Sequence, residues 1–205
     1  MIRSLFQLIR KKQIPWQLVP SERLNRLSSG NHQGIIAYVP LIAYQALDAV
    51  MSQVVESGET PLIVLLDGVT DVRNMGAIAR TAACAGAHAL VIPEKGGAPV
   101  NADAIKASAG ALSLIPVCRE RTLIESLSFL KECGLHILVS DDKGKQSVYD
   151  ADLNQPLAVV MGAEDKGVSG AIRKMSDQLV SIPMKGRISS LNVSVAAGIV
   201  LFETI

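Results

Sequence analysis

The stretch IPMKGRISSLNVSVAAGIVLFE, from Ile182 to Glu203, decides the fold of this chain. A strand-like apolar run ends at Pro183, and a polar loop then leads into an apolar segment, 193–202. Ser189 or Ser190 is predicted to cap a helix there, because serine oxygens accept hydrogen bonds from the free N–H groups of a first helical turn. The segment is apolar on nearly every side, which predicts a buried helix.

A polar pair, Ser190 and Asn192, lies where this loop enters the apolar segment. Buried polar groups need hydrogen-bond partners, so the placement has two explanations. The pair either caps the helix locally or contacts a ligand, and both interpretations stay open on this stretch alone.

The composition indicates a large apolar core. Of 205 residues, 49% are hydrophobic with a mean hydropathy of +0.32, whereas only 3% are aromatic, which argues against a base-stacking platform for single-stranded RNA. The three cysteines lack CxxC spacing and the three histidines are scattered, so we expect no disulfide framework and no metal. Neither a signal peptide nor a membrane span is seen, which predicts a cytoplasmic protein with no membrane partner.

The net charge of +1 is unevenly distributed. Residues 1–26 carry six basic side chains and one acidic one, a net charge of +5 that leaves −4 for the rest of the chain. A basic leading segment is compatible with nucleic acid, although short basic helices are often only solvated faces.

The first forty residues resemble an appendage. We predict an amphipathic helix over 2–12, a strand over 16–19, a short helix capped by Ser21 over 21–27 and a strand over 34–39. This segment has too few apolar residues to close a core of its own. A further helix ends near Gly58, so residues 1–40 are interpreted as an accessory segment and 41–60 as a linker helix.

From residue 61 onward the pattern is that of an α/β domain with a mainly parallel sheet, because near-continuous apolar strands alternate with helices. The predicted strands are LIVLL, ALVI, HILVS, LAVVM and LVSI, and the predicted helices cover 75–86, 102–112, 122–133 and 169–176. Ligands of such sheets bind outside the carboxyl ends of the strands. The loops after Leu66, Ser140, Met161 and Ile182 are therefore the candidate site.

The first of these loops, DGVTDVRNMGAIARTAACAG, offers two functional side chains. Asn74 is predicted to cap the helix that follows. Arg80 is a single arginine among small residues. It either forms a structural ion pair or binds a phosphate or carboxylate through the two-pronged donor face of its guanidinium. The residues themselves favour neither role.

The loop after LAVVM, GAEDKGVSGAIRKM, fails the test for a phosphate loop. A Walker motif needs Lys and then Ser or Thr after its second glycine, whereas Val168 follows Gly167, and no GxGxxG follows any strand. Glu164 is a carboxylate at a strand end that either orients a substrate or caps the helix predicted at 169.

Together, LDGVTDVRNMGAIARTA, VVMGAEDKG and IPMKGRISSLNVSVAAGI resemble the three motifs of the SpoU (TrmH-type) RNA ribose 2'-O-methyltransferases of the SPOUT class. The resemblance covers residues 30–205, and three long motifs in order are highly specific. It is strongest toward the bacterial members that methylate a guanosine ribose in 23S ribosomal RNA. Val72 stands where many members have proline, and the chain is expected to begin partway through the family's accessory RNA-binding domain.

The resemblance implies a trefoil-knotted α/β domain over 61–205 that forms a homodimer and uses S-adenosyl-L-methionine. It implies cofactor contacts at Gly162, Ile182, Met184 and Leu191, and a catalytic set of Asn74, Arg80, Glu164, Ser190 and Asn192. The alternatives are a tRNA 2'-O-methyltransferase, a SPOUT-fold RNA-binding protein without activity, and an unrelated α/β nucleotide enzyme.

Overall fold

The computed structural model describes residues 2–39, 41–187 and 190–205, with side chains from residue 5 onward. The predicted cap Ser189 lies outside the described residues. The chain forms two compact units, residues 1–40 and residues 41–205.

The first unit contains two helices, α1 (Ile2–Lys11) and α2 (Ser21–Leu27). The rings of Phe6 and Trp16 meet edge to face with centroids 5.1 Å apart. The strands predicted over 16–19 and 34–39 are wrong: residues 2–39 include no strand, because apolar runs there have no neighbouring strand to pair with. Ser21 is the first helical residue after Pro20 and makes no side-chain cap, so its predicted role is also wrong.

The second unit is built on one sheet whose strands all pair in parallel, which confirms the predicted α/β class. The strands are β1 (Tyr44–Gln45), β2 (Leu62–Asp67), β3 (Ala89–Pro93), β4 (Val117–Glu120), β5 (His136–Ser140), β6 (Gln146–Ser147), β7 (Leu157–Gly162) and β8 (Gln178–Ser181). Their order is β1-β4-β3-β2-β7-β5-β8-β6. The prediction missed β1 and β6, which have two residues each, and β4, whose sequence VCRE ends in two charged residues.

Helices cover both faces of this sheet. They are α3 (Leu47–Ser57), α4 (Val72–Cys84), α5 (Ala102–Ala107), α6 (Leu123–Glu132), α7 (Gly170–Met175) and α8 (Val193–Phe202). The central strands are buried on both sides: Val64 and Leu66 of β2 belong to the core shared with α4 and α8, whereas Ile63 and Leu65 belong to the core shared with α3 and α6. Burial of both faces explains why the strands are near-continuous apolar runs.

The last helix, α8, is buried on one face only, unlike the prediction. Val193, Ala197 and Val200 are buried, whereas Val195 and Phe202 are about half exposed at 51% and 54%. The sequence of α8 holds no charged residue, so this outer face is an apolar surface.

The order of the strands decides where the site lies. The central strands β2 and β7 pair from Leu62↔Leu157 to Asp67↔Gly162, and β5 flanks β7 on its other side. Because every pairing is parallel, the loops that follow β2, β5, β7 and β8 meet at one edge, which we call the carboxyl edge. The opposite end of the strands is the amino edge. None of the helices in the described ranges is long and apolar enough to cross a membrane.

Candidate active site

A cavity of about 240 Å³ opens at the carboxyl edge. Three loops surround it, those after β5, β7 and β8, together with the start of α8. Its lining consists of residues 140–143, residues 161–167, Ile182, Met184, Ser190, Leu191, Val193 and Ala196. Three of the four loops that the sequence selected therefore form one site.

Three polar side chains from distant parts of the chain form a hydrogen-bond network beside the cavity. The Nδ2 of Asn74, in α4, donates to Glu164 Oε1 at 3.1 Å. The Nδ2 of Asn192 donates to Asn74 Oδ1 at 2.9 Å and also contacts Glu164 Oε1. Glu164 belongs to the β7 loop and itself lines the cavity. The network ties the β2, β7 and β8 loops together.

Asn192, and not a serine, caps α8. Its Oδ1 accepts from the Ser194 N–H at 2.9 Å and from the Val195 N–H at 3.4 Å. Ser190 lines the cavity and does not act as the cap, so that predicted role is wrong. Asn192 serves as the cap because its side chain has two polar atoms. Its Oδ1 accepts from the helix N–H groups, while its Nδ2 donates to Asn74 and Glu164.

Two other predicted caps are also corrected. The helix α4 begins at Val72, and its cap is Asp71, whose Oδ1 accepts from the Arg73 N–H at 2.7 Å. Asn74 is therefore within the first turn, free to face the network. Glu164 does not cap α7, which follows Ser169; its Oε1 instead accepts from the Val193 N–H at 3.3 Å, at the start of α8.

The β7 loop is a tight turn that requires glycine. The Gly167 N–H donates to the Ala163 carbonyl at 2.8 Å, and Gly167 has φ +65°. A Cβ on Gly162 would lie 2.3 Å from the Gly167 carbonyl carbon and the Val168 nitrogen. Contacts that short with backbone atoms do not occur, so position 162 needs glycine for the loop to fold back on the strand.

The four residues predicted to contact the cofactor, Gly162, Ile182, Met184 and Leu191, all line the cavity. Apolar side chains from the β8 loop and α8 form part of the wall, and carboxylates from the β5 and β7 loops form another part. This lining fits S-adenosylmethionine, which joins a flat base to positively charged sulfonium and amino groups.

Arg80 stands apart from the network. It lies on an exposed part of α4, whose buried residues are Met75, Gly76, Ile78, Ala79 and Ala82. Within the described residues Arg80 makes neither a side-chain hydrogen bond nor an ion pair. The structural ion pair that the sequence left open is not seen in that part of the chain, and the guanidinium is available to a ligand.

Sequence reasoning missed Asp141, a buried carboxylate in the cavity wall. Its Oδ1 accepts from the Lys143 N–H at 3.0 Å, and its Oδ2 lies 3.6 Å from an Arg173 guanidinium nitrogen. Burial by itself would raise the pKa of Asp141, but the Lys143 hydrogen bond and the charge of Arg173 contribute to an opposing effect that outweighs it, so this pKa lies below its usual value. The signal was present: Asp141 directly follows a predicted strand.

Asp67 is a second carboxylate of this edge whose role only the structure reveals. Its Oδ2 accepts from the Ser169 N–H at 2.7 Å, across 102 residues of chain. Among the described residues, no cluster of three or more His, Cys, Asp or Glu side chains is placed to hold a metal ion.

Known proteins are similar to this chain in both sequence and fold. The model of the SpoU rRNA Methylase family matches residues 61–202, and a model described as RNA 2'-O ribose methyltransferase substrate binding matches residues 1–45. The 23S rRNA (guanosine-2'-O-)-methyltransferase RlmB of Vibrio parahaemolyticus is 41% identical over 181 residues, which are 88% of this chain and 73% of that protein. RlmB of Escherichia coli is 38% identical over 203 residues, 98% of this chain and 83% of that protein.

The structural comparison leads to the same family as the sequence comparison. The SpoU methyltransferase AviRb from Streptomyces viridochromogenes, in complex with the cofactor AdoMet, superposes with a TM-score of 0.71 at 32% identity. The match covers 79% of this chain and 64% of that one. The resemblance read from the three motifs is thus confirmed, along with the S-adenosylmethionine-dependent RNA 2'-O-methyltransferase activity that defines these proteins. This chain belongs to the SpoU rRNA methylase family.

Proposed function

We propose that this protein transfers a methyl group to the ribose 2'-hydroxyl of a guanosine in 23S ribosomal RNA. The observation that carries the proposal is the cavity at the carboxyl edge with the Asn74–Glu164–Asn192 network beside it. The two RlmB relatives support the substrate. A ribosomal RNA substrate also agrees with the predicted cytoplasmic location.

The cavity would hold S-adenosylmethionine, which supplies an electrophilic methyl group on its sulfonium when bound. Ile182 and Leu191 would contact the base through their apolar side chains. Gly162 would contact the cofactor through its backbone at the end of β7. Met184, 40% exposed, lies in the wall contributed by the β8 loop.

The network would fix the geometry of the reaction. Methyl transfer needs an in-line approach of the 2'-oxygen, and alignment alone can contribute about 7–11 kcal/mol to lowering a barrier. Glu164 holds both Asn74 and Asn192, so all three are fixed relative to the cavity wall. Ser190, which is exposed in that wall, would donate a hydrogen bond to the ribose.

Arg80 would act on the RNA. An arginine is a poor base because its guanidinium stays protonated in proteins. Its exposed guanidinium can instead bind a phosphate in a bidentate manner and stabilise negative charge as the 2'-hydroxyl loses its proton. The proton would then leave to a phosphate or to water.

The remaining parts of the chain would serve RNA binding and assembly. Residues 1–40 would contribute phosphate contacts through their basic side chains, 41–60 would act as a linker and 61–205 as the catalytic domain. The exposed apolar face of α8 would pack against a second copy of the chain, because an uncharged helix face is disfavoured in water. Sedimentation that shows a concentration-independent monomer would contradict the dimer.

Labelled methyl transfer from S-adenosylmethionine tests this function. We expect label in 23S ribosomal RNA and none when the target guanosine carries a 2'-deoxyribose. Label in tRNA alone would favour a tRNA methyltransferase, and RNA binding without transfer would favour a binding protein.

Arg80 variants test the mechanism within the same assay. Arg80→Ala should lower turnover by roughly a hundredfold or more, the loss typical of one preorganised transition-state donor. Arg80→Lys should rescue little, because a point charge does not replace a fork. The melting temperature and the cofactor affinity should both stay near wild type. A variant that melts early yet keeps its turnover at low temperature would make Arg80 a structural residue.

A further inference from the structure

Asp141 joins two walls of the cavity. Its own loop, 140–143, forms one wall, and the β7 loop, 161–167, forms another. Its Oδ1 holds the Lys143 N–H of the first wall at 3.0 Å. On the side of the second wall, its Oδ2 lies against Gly167, where a Cβ would come within 3.2 Å of that oxygen.

Asp141 also contacts two elements outside these walls, α7 and β8. The guanidinium of Arg173, in α7, lies 3.6 Å from Oδ2, and the Asp141 side chain is only 2% exposed. Its backbone N–H also donates to the Val180 carbonyl of β8 at 3.0 Å. A buried carboxylate with these partners has one favourable position, because moving it would leave a charge unpaired in the interior.

The β7 loop is held from two sides. On one side, Asp141 Oδ2 lies against Gly167, and the Val168 N–H helps to lower the pKa of Asp141. On the other side, the next N–H along the chain, that of Ser169, donates to Asp67 Oδ2 at 2.7 Å. Asp141 follows β5 and Asp67 ends β2, and these two strands flank β7. Two carboxylates on opposite sides of one strand therefore contact neighbouring residues at the end of its loop.

This loop carries Glu164, whose carboxylate holds Asn74 and Asn192. The position of the loop thus sets both the width of the cavity and the position of the network. We propose that Asp141, with Arg173, is a positioning residue that sets the affinity of the cavity for S-adenosylmethionine by fixing the β7 loop against the β5 loop. The inference rests on the proposed function, because the ligand is the cofactor of that function.

Asp177 offers a matched control elsewhere in the sheet. Its Oδ2 accepts from the Ile137 N–H at 2.9 Å, and its Oδ1 pairs with Lys131 at 2.6 Å. It therefore makes the same two kinds of contact as Asp141, a backbone amide and a cation. It lies just before β8, at the amino edge, and it is not part of the cavity lining.

The test compares full-length Asp141→Asn, Arg173→Gln and Asp177→Asn by calorimetry with S-adenosylmethionine and by melting. Asp141→Asn should bind about tenfold more weakly, the equivalent of roughly one hydrogen bond to a charged group. Arg173→Gln should bind several-fold more weakly, since it keeps the carboxylate. Asp177→Asn should bind within about twofold of wild type although it melts earlier.

Kinetics separate positioning from general stability. Asp141→Asn should raise the KM for S-adenosylmethionine by about the factor by which it weakens cofactor binding, whereas Arg80→Ala should lower kcat and leave this KM near wild type. Without any cofactor, the amides of Lys143 and Val168 should exchange with deuterium faster in Asp141→Asn than in Asp177→Asn. If Asp141→Asn does not fold, Arg173→Gln is compared with Asp177→Asn in the same way.

Two results have different meanings. If wild type binds S-adenosylmethionine and the Asp141 and Arg173 variants match Asp177→Asn in affinity, the positioning role is wrong. If wild type binds no S-adenosylmethionine, the proposed function fails. In that case, unchanged deuterium exchange at Lys143 and Val168 in Asp141→Asn would show that Asp141 does not fix the β7 loop against the β5 loop.

Discussion

Asp141 at the carboxyl edge and Asp177 at the amino edge each contact a backbone amide and a cation, but only Asp141 lines the cavity. Asp141 is buried in a cavity wall with 2% of its side chain exposed, whereas Asp177 is 34% exposed and joins the start of β5 to α6. Hydrogen bonds and a neighbouring cation hold the pKa of both carboxyls below its usual value, against the effect of burial.

The comparison teaches that the chemistry of a contact does not define a site. The two contacts differ in the chain around them: at the carboxyl edge, glycine-containing loops and polar side chains, of which Asp141 is buried and Glu164 and Asn192 are exposed, surround a cavity. At the amino edge Asp177 fastens secondary structure that is already in place. Four measurements, taken from the largest expected effect to the smallest, can break or sharpen this distinction.

The largest effect is expected from Gly162→Ala. A Cβ there would lie 2.3 Å from backbone atoms of Gly167 and Val168, so the β7 loop would have to move. Overpacking of this kind costs about 1–3 kcal/mol or more, and we expect cofactor binding to be lost. Gly170→Ala is the matched control, because a Cβ at Gly170 meets no atom within 4 Å. Calorimetry that finds wild-type affinity in Gly162→Ala would contradict the close approach.

The next effect is expected from Glu164→Ala, compared with Glu59→Ala at the amino edge. Glu164 holds the two asparagines and the Val193 N–H, whereas Glu59 bonds the ring of His88 at 3.0 Å. Turnover should fall by roughly a hundredfold in Glu164→Ala, on the scale of losing one preorganised donor. It should stay near wild type in Glu59→Ala. Equal turnover in the two variants would show that the network has no part in the reaction.

A smaller effect concerns acid stability at the amino edge. Burial by itself would raise the pKa of Asp177, but the contacts with Lys131 and the Ile137 N–H outweigh this effect and lower the pKa below its usual value. The folded state therefore favours the charged carboxylate. The stabilisation is therefore present above about pH 4 and lost as the pH falls through the folded-state pKa.

Melting of wild type and Asp177→Asn from pH 7 to pH 2 measures this contribution. The partly exposed ion pair is worth at most about 1 kcal/mol, so the difference in melting temperature should be small near pH 6 and vanish in acid. A difference that instead grows as the pH falls would contradict the assignment.

The smallest effect concerns the thiols. Burial, followed by the charges of Glu120 and Asp48, raises the pKa of Cys118 to about 12, so this thiol is protonated and inert at pH 8. Cys84 and Cys133, at the ends of α4 and α6, are exposed. Alkylation followed by mass spectrometry should add two labels to the native protein and a third on unfolding. Cofactor affinity should be unchanged by the two labels, since neither cysteine lines the cavity.

The sequence predicted the elements better than the contacts between them. The apolar strands β2, β3, β5 and β7 are visible because burial on both faces leaves a continuous apolar run, and β8 is visible from its apolar residues Leu179 and Val180. The predicted strands over 16–19 and 34–39 look similar but have no partner strand, and a strand without a partner leaves its backbone N–H and C=O groups unpaired. The end of α3 at Gly58 was predictable from a local feature, a glycine with φ +74°.

The caps show where local reasoning stops. Ser189, Ser190 and Asn192 can all cap a helix by composition. Asn192 is chosen because Asn74, 118 positions away, and Glu164, 28 positions away, take its amide group and fix its orientation. Competition between neighbouring caps is thus decided by partners that no local pattern contains.

By itself, the sequence determined the class of the fold, the membership of the family and which loops form the candidate site, because apolar periodicity and motif spacing are properties of the chain. Only the tertiary structure decided that Asn74 bonds Asn192, that Arg80 has no partner among the described residues and that Asp141 and Asp67 hold the β7 loop. These outcomes depend on the insertion of β7 between β2 and β5. That pairing brings side chains about a hundred residues apart within hydrogen-bond distance, and hydrogen bonds depend on distance in space, not on spacing along the chain.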